Sequence, residues 1–162
     1  MIVVSNTSPL TNLAAIHQFE LLHRLYDQIH ISDAVWDELN SEGKRWPGRA
    51  EVSTADWIET HAVRNRSLVD VLRRDLDAGE SESIALALEL GADMILVDEK
   101  EGRHAAQRLG LKVVGVIGVL LEAKSRGFIE HVRTQLDALR QIAGFYMKDS
   151  LYHAVLVLAS EE

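Results

Sequence analysis

The chain has 162 residues, a formal net charge of −8 and no cysteine. This length fits one domain, taken as residues 1–162, and the missing cysteines exclude disulfide frameworks, cysteine zinc sites and iron–sulfur clusters, which fits a reducing cytoplasm. No apolar run is long enough to cross a membrane, and the negative charge argues mildly against nucleic acid as a partner, unless a metal ion accounts for part of it.

The first half of the chain alternates between strand and helix signals. Residues 2–5 are apolar and β-branched, as in a strand, and Ser8 followed by Pro9 predicts an N-cap and the first residue of a helix. The pattern then predicts a short helix at 19–25, a strand at 28–31, a helix from residue 33, an exposed loop at 41–50, a strand at 57–62 and a helix at 68–76.

The second half centres on residues 79–103. An apolar helix from Glu80 to Leu90 ends at Gly91, and the continuous run at 94–97 predicts a parallel strand that is buried on both faces. The remaining predicted elements are a helix at 103–109, a strand at 112–114, a helix to about 125, and helices near 129–142 and 149–159. The alternation predicts an α/β fold with a parallel sheet of four or five strands and helices on both faces.

Oxygen-bearing side chains follow the predicted strands. The set comprises Asn6, Glu38, Glu80, Glu82, Asp98, Glu99 and Glu101. Ligands of open α/β folds bind beyond the carboxyl ends of the strands, and Mg²⁺ prefers oxygen ligands, so these residues are candidates for a cation site. Each has an ordinary alternative: Glu80 and Glu82 suit a helix N-terminus, Glu38 suits a solvated surface, and Glu99 and Glu101 suit a turn.

The sequence gives less support to other kinds of active site. There is neither a GxGxxG nor a Walker A pattern, which disfavours dinucleotide and P-loop enzymes, and the histidines include no HExxH pair. His153 is predicted to be packed in the core. Arg103 follows the acidic turn, where it either contacts a phosphate or forms a salt bridge to Glu99 or Glu101.

Five stretches together resemble one family. They are VVSNTSPLTNL at 3–13, VWDEL at 35–39, GESESIALA at 79–87, ILVDEKEGRHAAQRLGL at 95–111 and VVGVIGVLLEAKSRGFI at 113–129. In this order and spacing the chain resembles the PIN-domain nucleases, and among them the PIN-like proteins related to VapC toxins of bacteria and archaea. The resemblance implies a three-layer α/β/α sandwich and metal-dependent ribonuclease activity with Mg²⁺ or Mn²⁺.

The resemblance also assigns roles to residues. It implies acidic ligands at residue 6, Glu38, Glu82 (or Glu80, because the motif leaves the register open) and Asp98, which are also the catalytic positions. Glu99 is an auxiliary ligand. Thr7 and Ser8 lie beside the first ligand and, with Arg103, are candidates for substrate contacts. Homodimers and a small antitoxin partner are common in the family.

Asn6 departs from the family pattern, which has Asp at this position. An amide oxygen can ligate a hard cation, but it brings no charge and cannot act as a general base. Two hypotheses follow. The chain is either a metal-dependent endoribonuclease, with the toxin role in a toxin–antitoxin pair, or a PIN-like RNA- or protein-binding regulatory module with weakened or lost catalysis.

Overall fold

The computed structural model describes residues 1–43 and 45–162. The described elements are, in chain order, β1 Val3–Ser5, α1 Thr7–Ala15, α2 Glu20–Tyr26, β2 Ile29–Ser32, α3 Asp33–Leu39, α4 Arg49–Thr54, β3 Ile58–His61, α5 Arg66–Leu72, α6 Ala78–Leu90, β4 Met94–Leu96, α7 Lys100–Arg108, β5 Val113–Val114, α8 Val116–Ser125, α9 Val132–Gln141 and α10 Asp149–Leu158.

A five-stranded parallel sheet forms the centre of the fold. The strand order is β3-β2-β1-β4-β5, and every pair is parallel. In the middle of the sheet Val4 is the partner of His30 on one side and of Ile95 on the other. The predicted α/β/α sandwich and the sheet of four or five strands are therefore confirmed.

The two faces of the sheet carry separate hydrophobic cores. One face presents Val3, Ile29 and Ile31 to a core shared with α1, α2, α3 and the C-terminal helices α8 to α10. The opposite face presents Val4 and Ile95 to a core built with α5, α6 and α7. Burial on both faces explains why the central strands are continuously apolar.

The carboxyl ends of the strands all lie at one edge of the sheet because the strands are parallel. Asn6 directly follows β1, and Asp98 follows the buried Val97 after β4. β2 runs into α3, whose N-cap is Ser32 and which carries Glu38. This edge is where the topology gathers residues that are far apart in sequence.

Three local predictions were wrong. α1 begins at Thr7 with Asn6 as its N-cap, two residues earlier than the Ser8–Pro9 signal indicated. The predicted loop 41–50, which includes Lys44 outside the described residues, runs into α4 from Arg49. His153 is exposed, because α10 packs through Tyr152 and its neighbours at helical spacing.

No helix among the described residues is long and apolar enough to span a membrane.

Candidate metal site

Asn6 lies at the centre of the edge formed by the strand ends. Its backbone N–H donates to the carbonyl of Leu96 at 3.0 Å, which fixes it between β1 and β4. The residue is only 4% exposed, and within the described part of the chain its Oδ1 has no hydrogen-bond partner. A buried polar atom without a partner is costly, so an unmet acceptor here points to a missing donor or cation.

Two carboxylates converge on the same place. A Cβ added to Gly79 would lie 3.0 Å from Glu38 Oε2, 3.3 Å from Asn6 Oδ1 and 3.6 Å from Asp77 Oδ1. The glycine therefore leaves open a space that is surrounded by three oxygen atoms. Thr7 Oγ1 donates to Glu38 Oε2 at 2.9 Å and holds that carboxylate toward the space.

Asp77 was missed in the sequence analysis. It is the N-cap of α6 and accepts from the N–H of Glu80 at 2.8 Å, while the Glu80 side chain accepts from the N–H of Asp77 at 3.4 Å. This reciprocal arrangement is a capping box, and the Asp-x-x-Glu spacing before an apolar helix is a signal for it. The signal would have placed an additional carboxylate at the start of α6.

The surroundings of Glu80 raise its pKa well above the ordinary value of 4.5. Burial, and then the negative charges of Asp77 and Glu99, raise the pKa of Glu80 to about 7, although the hydrogen bond from the Asp77 backbone opposes the shift. Its Oε2 has no partner among the described residues and lies close to Gly102, where an added Cβ would be 2.6 Å away. A carboxyl with a pKa near neutrality can take up or release a proton at physiological pH.

Asp98 is held by three hydrogen bonds from two helices, α1 and α8. Its Oδ1 accepts from the N–H of Val116 at 2.8 Å, and its Oδ2 accepts from Ser8 Oγ at 3.2 Å and from Asn12 Nδ2 at 3.1 Å. Burial raises the pKa of Asp98 above its ordinary value, although these hydrogen bonds and the charge of Arg103 act in the opposite direction. The neighbouring Glu99 is exposed along part of its side chain. The burial of the rest raises its pKa, and the negative charges of Asp98 and Asp77 raise it further.

Glu82 faces a different direction. Its Oε1 accepts from the N–H of Ala34 in the first turn of α3 at 3.0 Å, and its Oε2 forms a salt bridge with Arg66 at 2.9 Å. Both oxygens are thus satisfied by protein groups, and the structure does not bring Glu82 to the space around Gly79. Residues two apart on a helix point about 200° away from each other, which is why Glu80 and Glu82 lie on different sides of α6.

The remaining predicted residues mostly support the ligands. Thr7 and Ser8 donate to Glu38 and Asp98, as described. Arg103 Nη1 donates to the carbonyl of Val97 at 3.0 Å. Asp98 and Arg103 also line an open cavity of about 490 Å³ beside β5, with Ile117, Phe145 and Leu151 as apolar walls. A cavity with both charged and apolar lining residues can bind a ligand that carries an apolar ring and a phosphate group.

The donor set fits a hard divalent cation. Mg²⁺ is usually held by one or two carboxylates, with water and substrate oxygens completing its shell, and Glu38 and Asp77 with the Asn6 amide oxygen provide such a set. Glu80 and Glu99 supply further negative charge nearby. Among the described residues, the only group of three histidines or carboxylates whose ligand atoms lie within 4.8 Å of one another is elsewhere, at His30, Glu59 and His61.

A comparison with protein families matches residues 2–161 to a family that is described as a PIN domain. A comparison with curated proteins finds no match.

Proposed function

The chain belongs to the PIN-domain family, and from this premise we propose that it is an endoribonuclease that hydrolyses RNA phosphodiesters with the help of Mg²⁺ or Mn²⁺. PIN domains are generally nucleases that act on RNA and use divalent metals. The observation that carries the proposal is the buried Asn6 Oδ1, which has no hydrogen-bond partner among residues 1–43 and 45–162 and faces the same space as the Glu38 and Asp77 carboxylates.

Glu38, Asp77 and Asn6 would hold the cation, with Glu80, Glu99 and Asp98 contributing charge around it. When bound, the cation would supply a more acidic water and would neutralise negative charge on the phosphate oxygens. Removing the charge of Glu38 or Asp77 should therefore abolish metal binding and activity together.

Glu80 is the best-placed residue to move a proton. Its Oε2 has no hydrogen-bond donor among the described residues, and burial with the charges of Asp77 and Glu99 raises its pKa to about 7 in the metal-free protein. A cation beside Asp77 would lower that pKa, so Glu80 would be ionised and able to accept a proton from an attacking water at neutral pH. Asn6 cannot take this role because an amide does not gain a proton at this pH. Glu80, rather than Glu82, therefore takes the third acidic position in our proposal.

Arg103 and Ser8 would act at the substrate side of the site. Arg103 keeps guanidinium N–H groups beyond its bond to Val97, and these can donate to a phosphate that lies over Asp98. Ser8 and Thr7 would orient Asp98 and Glu38 through their hydroxyl groups. Glu82 would be a positioning residue, since it holds the start of α3.

The experiment compares wild type, Glu38→Gln and Asp77→Asn on single-stranded RNA with Mn²⁺ or EDTA. We expect Mn²⁺-dependent cleavage that both variants lose by at least about tenfold, while Glu101→Gln, which changes an exposed carboxylate in the first turn of α7, cleaves like wild type. Equal cleavage by all four proteins would point to a contaminant or another site. Asn6→Asp should strengthen Mn²⁺ binding and cleavage, because it adds the missing charge.

A second candidate function is a PIN-like regulatory module that binds RNA or protein without turnover. Two observations favour it: Asn6 brings no charge, and the oxygens of Asp98 already accept three protein hydrogen bonds. In that case calorimetry with Mn²⁺ would show no binding at millimolar metal, and RNA binding would be the same in EDTA.

We further propose that residues 1–162 act as one domain in the cytoplasm, as a homodimer and as the toxin of a toxin–antitoxin pair. Exposed apolar side chains near the C-terminus, including Ile142, Tyr146 and Leu158, support association of two copies. Light scattering should give twice the chain mass. Expression of the chain should arrest growth, and coexpression of a small protein encoded beside it should relieve the arrest.

A further inference from the structure

A second polar cluster, made of residues outside the acidic set, lies on the sheet face that carries α5 and α6. In the register of β2 and β3, His30 is the partner of Glu59, and His61 lies two residues beyond Glu59 on the same side of the strand. β3 is the outer strand of the sheet. The three side chains therefore project from adjacent strands onto one patch of the sheet.

The ligand atoms of the three side chains point at one another. His30 Nδ1 lies 2.9 Å from His61 Nε2, and the Glu59 carboxylate lies 3.5 Å from His61 Nε2 and 4.0 Å from His30 Nδ1. The histidine side chains are 12% and 21% exposed, whereas Glu59 is 52% exposed. Two imidazoles are thus largely withdrawn from water, next to a half-exposed carboxylate whose Oε2 accepts from Gln28 Nε2 at 3.0 Å.

We propose that His30, Glu59 and His61 bind a transition-metal ion of the Zn²⁺ class. In a tetrahedral zinc site with bonds of about 2.0–2.1 Å, the ligand atoms are about 3.3 Å apart, which is close to the spacings seen here. A shift of a few tenths of an ångström would convert the histidine–histidine hydrogen bond into two metal bonds. The exposed side of Glu59 leaves the fourth position to water.

The chemistry of this cluster differs from that of the acidic site. Imidazole nitrogen favours Zn²⁺, Co²⁺, Ni²⁺ and Cu²⁺, whereas the oxygen donors around Gly79 favour Mg²⁺ and Mn²⁺. The two sites can therefore be measured separately in the same protein. An ion between the strands would fasten the outer strand β3 to β2, which continues into α3.

The test uses untagged, EDTA-treated protein and needs no RNA. Titration with Zn²⁺ should show one equivalent bound at this cluster, and Co²⁺ should give the visible absorption of a four-coordinate site. His61→Asn and Glu59→Gln should each weaken Zn²⁺ binding by about tenfold or more. His104→Asn, which changes an exposed histidine on α7, should leave Zn²⁺ binding unchanged.

Both variants change side chains on the outer strand, and circular dichroism with thermal melting of the metal-free proteins checks that they fold. Zn²⁺ should raise the melting temperature of wild type and His104→Asn but not of His61→Asn. Equal Zn²⁺ binding in wild type, His61→Asn and Glu59→Gln would overturn the proposal, and so would the absence of Zn²⁺ binding in wild type. Either result leaves the nuclease proposal intact, because that proposal depends on Mn²⁺ at other residues.

Discussion

The raised pKa of Glu80 predicts an unusual dependence of stability on pH. Its folded-state pKa is about 7, against an ordinary value of 4.5. Between these values the folded chain binds more protons than the unfolded chain, so the free energy of unfolding falls as pH rises. The loss is complete above about pH 7 and amounts to about 3 kcal/mol, since each pKa unit corresponds to about 1.4 kcal/mol.

The perturbation that isolates this effect is Glu80→Gln. Glutamine keeps the acceptor of the capping box but does not ionise. Urea unfolding in EDTA at about pH 5 and about pH 8 gives the free energy of unfolding of both proteins, and the advantage of the variant should grow by about 2–3 kcal/mol between the two pH values. Mn²⁺ at the higher pH should reduce this advantage by stabilising the ionised wild type.

Asp98 and His30 titrate in both proteins, so their contributions cancel in this comparison, whereas the repulsion between Glu80 and Glu99 is part of the effect that Glu80→Gln removes. Asp98 and Glu99 have raised pKa values and act in the same direction as Glu80, whereas burial and His61 lower the pKa of His30, which acts in the opposite direction. An advantage of the variant that is the same at both pH values would refute the reasoning. Glu80 would then ionise normally and would be a poor proton acceptor.

Three further changes test separate features of the structure. Glu161→Gln should lower the free energy of unfolding by about 1–2 kcal/mol at neutral pH in urea unfolding, because the carboxylate accepts from Lys124 Nζ and from backbone N–H groups at the start of α9. Although burial opposes the shift, these hydrogen bonds lower the pKa of Glu161 to about 2, so its contribution should be lost as pH falls from about 4.5 toward 2. Glu82→Gln leaves one acceptor oxygen for the two donors, Ala34 N–H and Arg66, so it should weaken Mn²⁺ affinity in calorimetry only about two- to threefold, through the start of α3. A loss as large as that of Glu38→Gln would make Glu82 a metal ligand. Gly79→Ala should weaken Mn²⁺ binding about tenfold or more while leaving the melting temperature equal or higher, because alanine favours helix but fills the space between the oxygens.

The fold was predictable because its signals are local and repeated. The short apolar strands, separated by helices, specify a parallel sheet, and Gly91 ends α6 in the left-handed conformation with a φ of 60°. α4 was missed because the glycine and proline that precede it are typical of a loop. The wrong placement of His153 came from choosing the wrong face of α10, which depends on contacts with other helices.

The location of the candidate site was predictable, whereas the side chains that face it were not all predictable. Parallel strands bring Asn6 and Asp98 to one edge, and this follows from sequence order alone. Whether Glu80 or Glu82 faces that edge depends on the rotation of α6, which is set by packing against the sheet and against Arg66. Asp77 required attention to helix capping, because a capping residue and a metal ligand look alike in sequence.

Glu82 connects two helices, because it accepts from the first turn of α3 and forms a salt bridge with Arg66 of α5. Ala34, which Glu82 holds, is one helical turn before Glu38 on the same helix. Arg66 belongs to α5, a short helix at the surface, and its salt bridge orients the carboxylate that accepts from Ala34, so a displacement of α5 would loosen the start of the helix that carries Glu38. The outer helix α5 would then control the cation site from a distance, through one arginine and one glutamate that bind no cation themselves.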